Sequence, residues 1–164
     1  MQARIRQACL LAMVALGLVV VLTGTTFAQP GSSNLGTWKL NLAKSTFPPG
    51  TAPKSAIFTN VVAGAGITST SDSVSADGTA RHSEYTMVYD GKDQPLTGNS
   101  PNGDVVAGTR VDANTLTFIY KKGGQVNVTT TNVASSDGKT YTITSKSTNA
   151  QGLTVTNVAV YDKQ

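Results

Sequence analysis

The chain has 164 residues, with 13 Lys plus Arg against nine Asp plus Glu, one cysteine, one histidine and only 6% aromatic residues. A single cysteine excludes an internal disulfide and any multi-cysteine metal site. The basic excess is scattered rather than clustered, so no nucleic-acid surface is expected.

Arg4 and Arg6 open the chain, an apolar run follows from Ala8 to Leu22, and Thr23-Gly24-Thr25-Thr26-Phe27-Ala28 closes it with small residues. This is the tripartite pattern of a secretory signal peptide, residues 1–28, with cleavage expected between Ala28 and Gln29. The apolar run of about 15 residues falls short of the roughly 20 that a spanning helix needs, so no stable membrane anchor is expected after cleavage. Cys9 precedes the apolar run, which is the wrong side for a lipid-modified cysteine. Cleavage removes Cys9, Arg4 and Arg6, leaving 13 − 2 = 11 basic residues against nine acidic ones, a thiol-free chain of charge +2. The expected compartment is the periplasm or the exterior.

Residues 29–35 read as a short linker, and 36–164 as one domain. Across that domain turn pairs such as Asp77-Gly78, Asp90-Gly91, Asn102-Gly103, Gly123-Gly124 and Asp137-Gly138 recur at hairpin spacing. Such pairs supply the positive φ that tight hairpins demand. Between them Thr, Val, Ile, Tyr and Phe dominate, which suits a pleated, half-buried surface. The spacing predicts eight or nine strands, near 36–41, 55–63, 66–74, 79–90, 105–112, 115–122, 125–134, 139–147 and 153–162. Period-two alternation is clear where Tyr85, Met87 and Tyr89 share one face, and again at Leu116, Phe118 and Tyr120. Near the C-terminus Leu153, Val155, Ala159 and Tyr161 share a phase that Asn157 interrupts. The expected fold is all-β: an antiparallel up-and-down β-barrel, with a β-sandwich as the alternative, since an open sheet this wide would leave long edges.

Two stretches break the rhythm. Pro48, Pro49 and Pro53 exclude a central strand, so the segment after the first strand is expected to be a loop with Phe47 capping one end of the barrel. Residues 94–103 read as the longest irregular stretch.

The first strand begins Gly36-Thr37-Trp38, which resembles the opening motif of lipocalin-like barrels. Together with Tyr89-Asp90-Gly91-Lys92-Asp93 and Thr148-Asn149-Ala150-Gln151-Gly152, it makes the chain similar to small secreted bacterial proteins of lipocalin-like type. The resemblance implies a barrel closed at its base by Trp38. Lipocalins usually stack an arginine of the last strand on this tryptophan; here that strand offers Lys163, and Arg110 on a middle strand is a second candidate for the stack. The Thr-Asp-Tyr motif of lipocalins is absent.

Catalytic chemistry finds few reagents. His82 and Glu84 share a strand face, with Ser83 on the other; the pair suits a base and its orienter but has no nucleophile beside it. Asp72 with Asp77, and Asp90 with Asp93, lack the dense oxygen spacing of a calcium loop. Tyr120-Lys121-Lys122 is too thin a run to stack nucleic acid, and Asn127-Val128-Thr129 matches a glycosylation sequon. No enzyme activity, metal or cofactor is therefore expected. A closed barrel filled with Thr, Ser, Ala and Val leaves room for a cavity. Tyr85, Met87, Tyr89, Phe118 and Tyr120 are its candidate lining, with Arg110 as polar anchor, for a small apolar or amphipathic ligand. The competing reading is a filled core in a structural or interaction module of the envelope. An internal cavity of ~300 Å³ open at one end separates the two.

Overall fold

The computed structural model describes residues 32–149 and 151–164. The proposed leader and its cleavage point lie outside them. The strands are β1 (Gly36–Leu40), β2 (Ser55–Ala63), β3 (Gly66–Val74), β4 (Ala80–Met87), β5 (Asp90–Pro95), β6 (Thr97–Gly98), β7 (Val105–Arg110), β8 (Thr115–Lys122), β9 (Gln125–Ala134), β10 (Thr140–Thr148) and β11 (Thr154–Lys163). They form one antiparallel sheet in the order β5-β7-β8-β9-β10-β11-β1-β2-β3-β4-β6, so the barrel is favoured over the sandwich. β1 pairs with both β2 and β11, which places the two ends of the domain side by side.

Two strands more than expected come from residues 90–98. The strand expected over 79–90 stops at Met87, and the chain bends through Tyr89, a non-glycine residue at φ 58°. Asp90-Gly91 begins β5 rather than turning a hairpin. Part of the stretch read as irregular is strand: Gln94 and Pro95 complete β5, which ladders with β7, and after Leu96 the chain transfers to β4, where Ser83 pairs Gly98 and Glu84 pairs Thr97. This short segment touches both edges of the sheet and brings it almost to closure. Its composition is that of a loop, and only tertiary pairing makes it strand.

Closure continues beyond β6 through one side chain. Asn99 Oδ1 accepts from His82 N at 2.6 Å, Asn99 Nδ2 donates to Ala80 O at 3.0 Å, and Asn99 N donates to His82 O at 2.9 Å. The carboxamide thus occupies edge groups of β4 that a longer strand would have paired.

The loop after β1 follows the prolines. A 3₁₀ turn at Leu42–Lys44 is capped by Asn41, and Thr46 bridges to Val158 before the chain crosses the barrel end at Phe47. Residues 32–35, read as linker, belong to the fold instead. A 3₁₀ turn at Ser32–Asn34 tucks into the opposite end, where Asn34 is buried.

The core has two apolar groups. One joins Ile67, Met87, Tyr89, Leu96, Val106, Leu116 and Phe118; the other joins Trp38, Phe58, Ala134 and Tyr141. Gly108 lets the first pack, because a Cβ there would run into Met87 Sδ and approach Phe118 to about 3.0 Å.

Gly98 sits at φ 90°, and a Cβ on it would collide with the His82 carbonyl. Gly98→Ala is therefore expected to destabilise the fold by more than ~1 kcal/mol, since alanine is strained at positive φ as well as clashing. Chemical denaturation checks this: the midpoint should fall, whereas Gly123→Ala, where nothing lies within 4 Å of the added carbon, should lose less.

Candidate functional site

Alternation along the strands sends one side chain in two toward the barrel axis. On β2 these are Ala56, Phe58 and Asn60; on β3, Ile67 and Ser69; on β9, Thr130, Asn132 and Ala134. The inward set is unusually small and polar, and it does not meet across the middle. A chamber of about 220 Å³ remains, lined by Phe58, Tyr85, Phe118, Tyr120, Tyr141 and Ile143 among apolar groups, and by Asn60, Ser69, Thr130, Asn132, Ser145 and Asn157 among polar ones.

The chamber opens toward the end that carries the loops after β1, β3 and β6. A second space of about 300 Å³ lies there, lined by Thr51, Pro53, Ser73, Ser75, Arg81 and Pro101. The two share Phe47, Ser71, Ser83, Ser100, Asn102, Asn157 and Tyr161, so they form a chamber and its mouth. Phe47 stands at the junction. Asn127 Nδ2 donates to Asn102 O at 2.7 Å, tying the mouth loop to β9. The sequon asparagine is thus spent on holding this loop.

The other end is sealed. Trp38 is fully buried and its Nε1 donates to Asn34 O at 3.2 Å; Asn60 Nδ2 donates to the same carbonyl at 2.8 Å. Asn34 Nδ2 donates to the Tyr89 hydroxyl at 2.9 Å. The cation over the Trp38 ring is Lys163, 5.2 Å from the centroid. Arg110 does not stack there: its guanidinium lies over Tyr89 at 5.1 Å. The register accounts for the choice, since Lys163 is the β11 partner of Trp38, while Arg110 on β7 faces the segment that carries Tyr89.

All five tyrosines of the chain, Tyr85, Tyr89, Tyr120, Tyr141 and Tyr161, border the chamber. Burial raises every one of their phenol pKa values, those of Tyr85 and Tyr161 to about 12. The rings pack edge to face, with Phe58 and Tyr161 at 4.9 Å and Tyr89 and Phe118 at 6.0 Å. Among the described residues no Lys, Arg, Asp, Glu or His stands on the chamber wall.

Several buried polar atoms accept or donate no hydrogen bond within the protein: Asn34 Oδ1, Asn60 Oδ1, Thr130 Oγ1, Asn132 Oδ1, Asn157 Oδ1 and an Arg110 terminal nitrogen. Four of them belong to residues of the chamber wall. A buried acceptor left unmade costs on the order of 1–3 kcal/mol. Such a set is tolerable only where the space beside it brings a hydrogen-bonding guest or water to the atoms.

Of the residues singled out from sequence, Tyr85, Tyr89, Phe118 and Tyr120 stand on the wall. Met87 does not: it packs beside Gly108 within the first apolar group. Arg110 is also off the wall, as described. His82 pairs with Asp72 rather than Glu84, through Nδ1 to Oδ1 at 2.7 Å on the exposed outer face, and Glu84 accepts from Thr70. Asp90 is paired to Lys92 and Asp93 to Lys121, while Asp77 accepts from the backbone of its own turn. Among the described residues no three of His, Cys, Asp and Glu gather at one point. Sequence reasoning missed Asn60, Thr130, Asn132 and Asn157. The interruption of the last strand's apolar phase at Asn157 was the one signal available.

These features define a lipocalin-like β-barrel with one sealed end and one open, polar-and-aromatic chamber. Among solved structures, zebrafish ileal bile acid-binding protein, determined in complex with cholic acid, superposes with a TM-score of 0.54 at 15% identity, covering 81% of this chain and 100% of that one. The likeness is one of fold. The chain matches no protein-family profile and no curated protein.

The tyrosines yield a pH prediction. An acid whose folded pKa exceeds its unfolded value of about 10 contributes stability that is complete below pH 10 and lost as pH rises through the folded pKa. For Tyr85 and Tyr161 that window runs from about 10 to about 12. Ultraviolet titration should show phenolate appearing together with loss of β circular dichroism. Free titration of most phenols near pH 10 with the fold intact would show them to be solvated instead.

Proposed function

We propose that this protein is an extracytoplasmic binder of a small amphipathic molecule, which enters at the Phe47 end and is held in the chamber. The observation that carries the reading is the set of unpartnered polar atoms around an open space. A barrel that served only as a scaffold would gain stability by filling that space with Leu, Ile or Phe. Here the inner positions instead hold Asn60, Thr130 and Asn132, each at most 6% exposed. The chamber alone is smaller than a typical ligand site of ~300 Å³ or more, and chamber and mouth together reach that size class. A fold shared with a bile acid-binding protein is consistent with this role.

No reaction is assigned. His82, the sole imidazole, faces solvent on the outer surface with Asp72, away from the chamber. We read the protein as a carrier or sensor rather than an enzyme. The resemblance to small secreted bacterial proteins and the leader-like first 28 residues support export.

Two measurements test the reading. Amino-terminal sequencing of the exported protein should begin at Gln29; a start at Met1 in a cytoplasmic fraction would overturn the compartment. Native mass spectrometry of protein taken gently from the extracytoplasmic fraction should show a co-purifying adduct of a few hundred daltons. That adduct should be lost when Thr130→Phe fills the chamber. An adduct that persists in the variant would place binding elsewhere.

A further inference from the structure

The wall of the chamber also selects the charge and chemistry of its guest. We infer that the ligand is an electrically neutral, hydroxyl- or amide-bearing ring compound, and that its carboxylate counterpart is rejected; the inference rests on the binder reading above.

Three observations lead to it. The first is the absence of charge. Among the described residues every ionisable group on the chamber wall is a tyrosine; a phenol is protonated at neutral pH, and burial raises the pKa of these further. The nearest interior cation, Arg110, is not on the wall; it stacks on the Tyr89 ring, 5.1 Å from its centroid. Arg81 stands at the mouth, directed to Ser75 Oγ and Asn99 O. A carboxylate in the chamber would have no counter-ion, and burying an unpaired charge is strongly unfavourable.

The second is the polarity of the unpaired groups. Asn60 has its orientation fixed, because Nδ2 donates to Asn34 O and leaves Oδ1 as the free atom. Asn132 lies beside the Tyr141 phenol, whose pKa burial raises and Asn132 partly offsets, and its Oδ1 likewise has no donor. Asn157 Oδ1 is in the same state. Carboxamide oxygens accept and cannot donate. The guest that completes them must bring N–H or O–H groups, which an ionised carboxylate lacks.

The third is shape. Phe58, Phe118, Tyr85, Tyr120, Tyr141 and Tyr161 line a chamber of about 220 Å³. Aromatic walls around so small a volume suit a compact ring body rather than a long chain.

A matched set of probes tests the inference on the full exported protein at pH 7 by isothermal titration calorimetry: 2-naphthalenemethanol, 2-naphthoate and 2-methylnaphthalene. The alcohol should bind at least about tenfold more tightly than the carboxylate. Asn132→Leu, and independently Asn157→Leu, should weaken the alcohol about tenfold and leave 2-methylnaphthalene within about threefold, since each removes an acceptor and keeps the volume. Thermal melts establish that the variants are folded, and the wild-type comparison stands without them. Equal binding of alcohol and carboxylate, or preference for the carboxylate, would overturn the neutral-ligand inference and leave the binder reading intact; Arg110→Met would then show whether that cation reaches the guest. Failure of all three probes to bind, with no adduct in native mass spectrometry, would overturn both.

Discussion

The interior of this protein depends on one closure. β4 and β7 would be open edges of a wide sheet if residues 90–98 did not ladder with β7 through Asp90–Pro95 and then with β4 through Thr97–Gly98. Leu96 sits at the crossing, buried within the first apolar group. Few hydrogen bonds make the β4 side of the seam, and the Asn99 carboxamide supplies part of what a longer strand would have given. A seam this thin tolerates no carbon at position 98, and its composition of Asp, Gly, Lys, Gln and Pro is unfit for a central strand. The β5 side of the seam is bulged, its register against β7 shifting between Asp90 and Asp93.

Closure creates a second constraint, because a closed barrel must do something with its inner face. Trp38, Phe58 and Tyr141 fill one part and Leu116, Phe118 and Ile67 another. Between them lie short polar side chains that neither fill the space nor satisfy one another. Folded proteins are stable by only about 5–15 kcal/mol, so several unmade buried hydrogen bonds would be a large fraction of the total. The arrangement is economical only if the atoms are served by something that occupies the chamber. Stability and binding are in this sense the same question at Asn60 and Asn132.

The sequence shows the strands and hides the chamber, and the reason is physical. Alternation at Leu116, Phe118 and Tyr120 identifies an inner face because apolar side chains mark it, and β8 follows that phase. On β9 the inner Thr130 and Asn132 alternate with Thr129, Thr131 and Val133, so hydropathy has no contrast to read and the face is decided by pairing to β8 and β10. Residues 94–98 look like a loop because local propensity describes them correctly as poor strand formers; two sheet edges override it. Residues 32–35 look like a linker because no periodicity fits in four residues, yet Asn34 anchors Trp38, Asn60 and Tyr89. Arg110 and Lys163 could both be considered for the Trp38 stack, and only strand order decides between them.

The two ends of the barrel are held by different kinds of contact, and the proposed direction of entry rests on that asymmetry. At the base the bonds of Asn34 to Trp38, Asn60 and Tyr89 are buried, and opening them would expose the indole and break several bonds together. At the mouth the ties are exposed or half-buried: Thr51 to Pro48, Asn127 to Asn102, and Arg81 to Asn99. Segments with few buried contacts and solvent-reachable hydrogen bonds open at lower cost than a sealed core. Phe47, just before the Pro48-Pro49 turn and at the junction of mouth and chamber, is a bulky group in the path of a guest. On the binder reading, access through that end would leave the closure at residues 90–98 and the Trp38 base undisturbed, so that contents would exchange without unfolding the barrel.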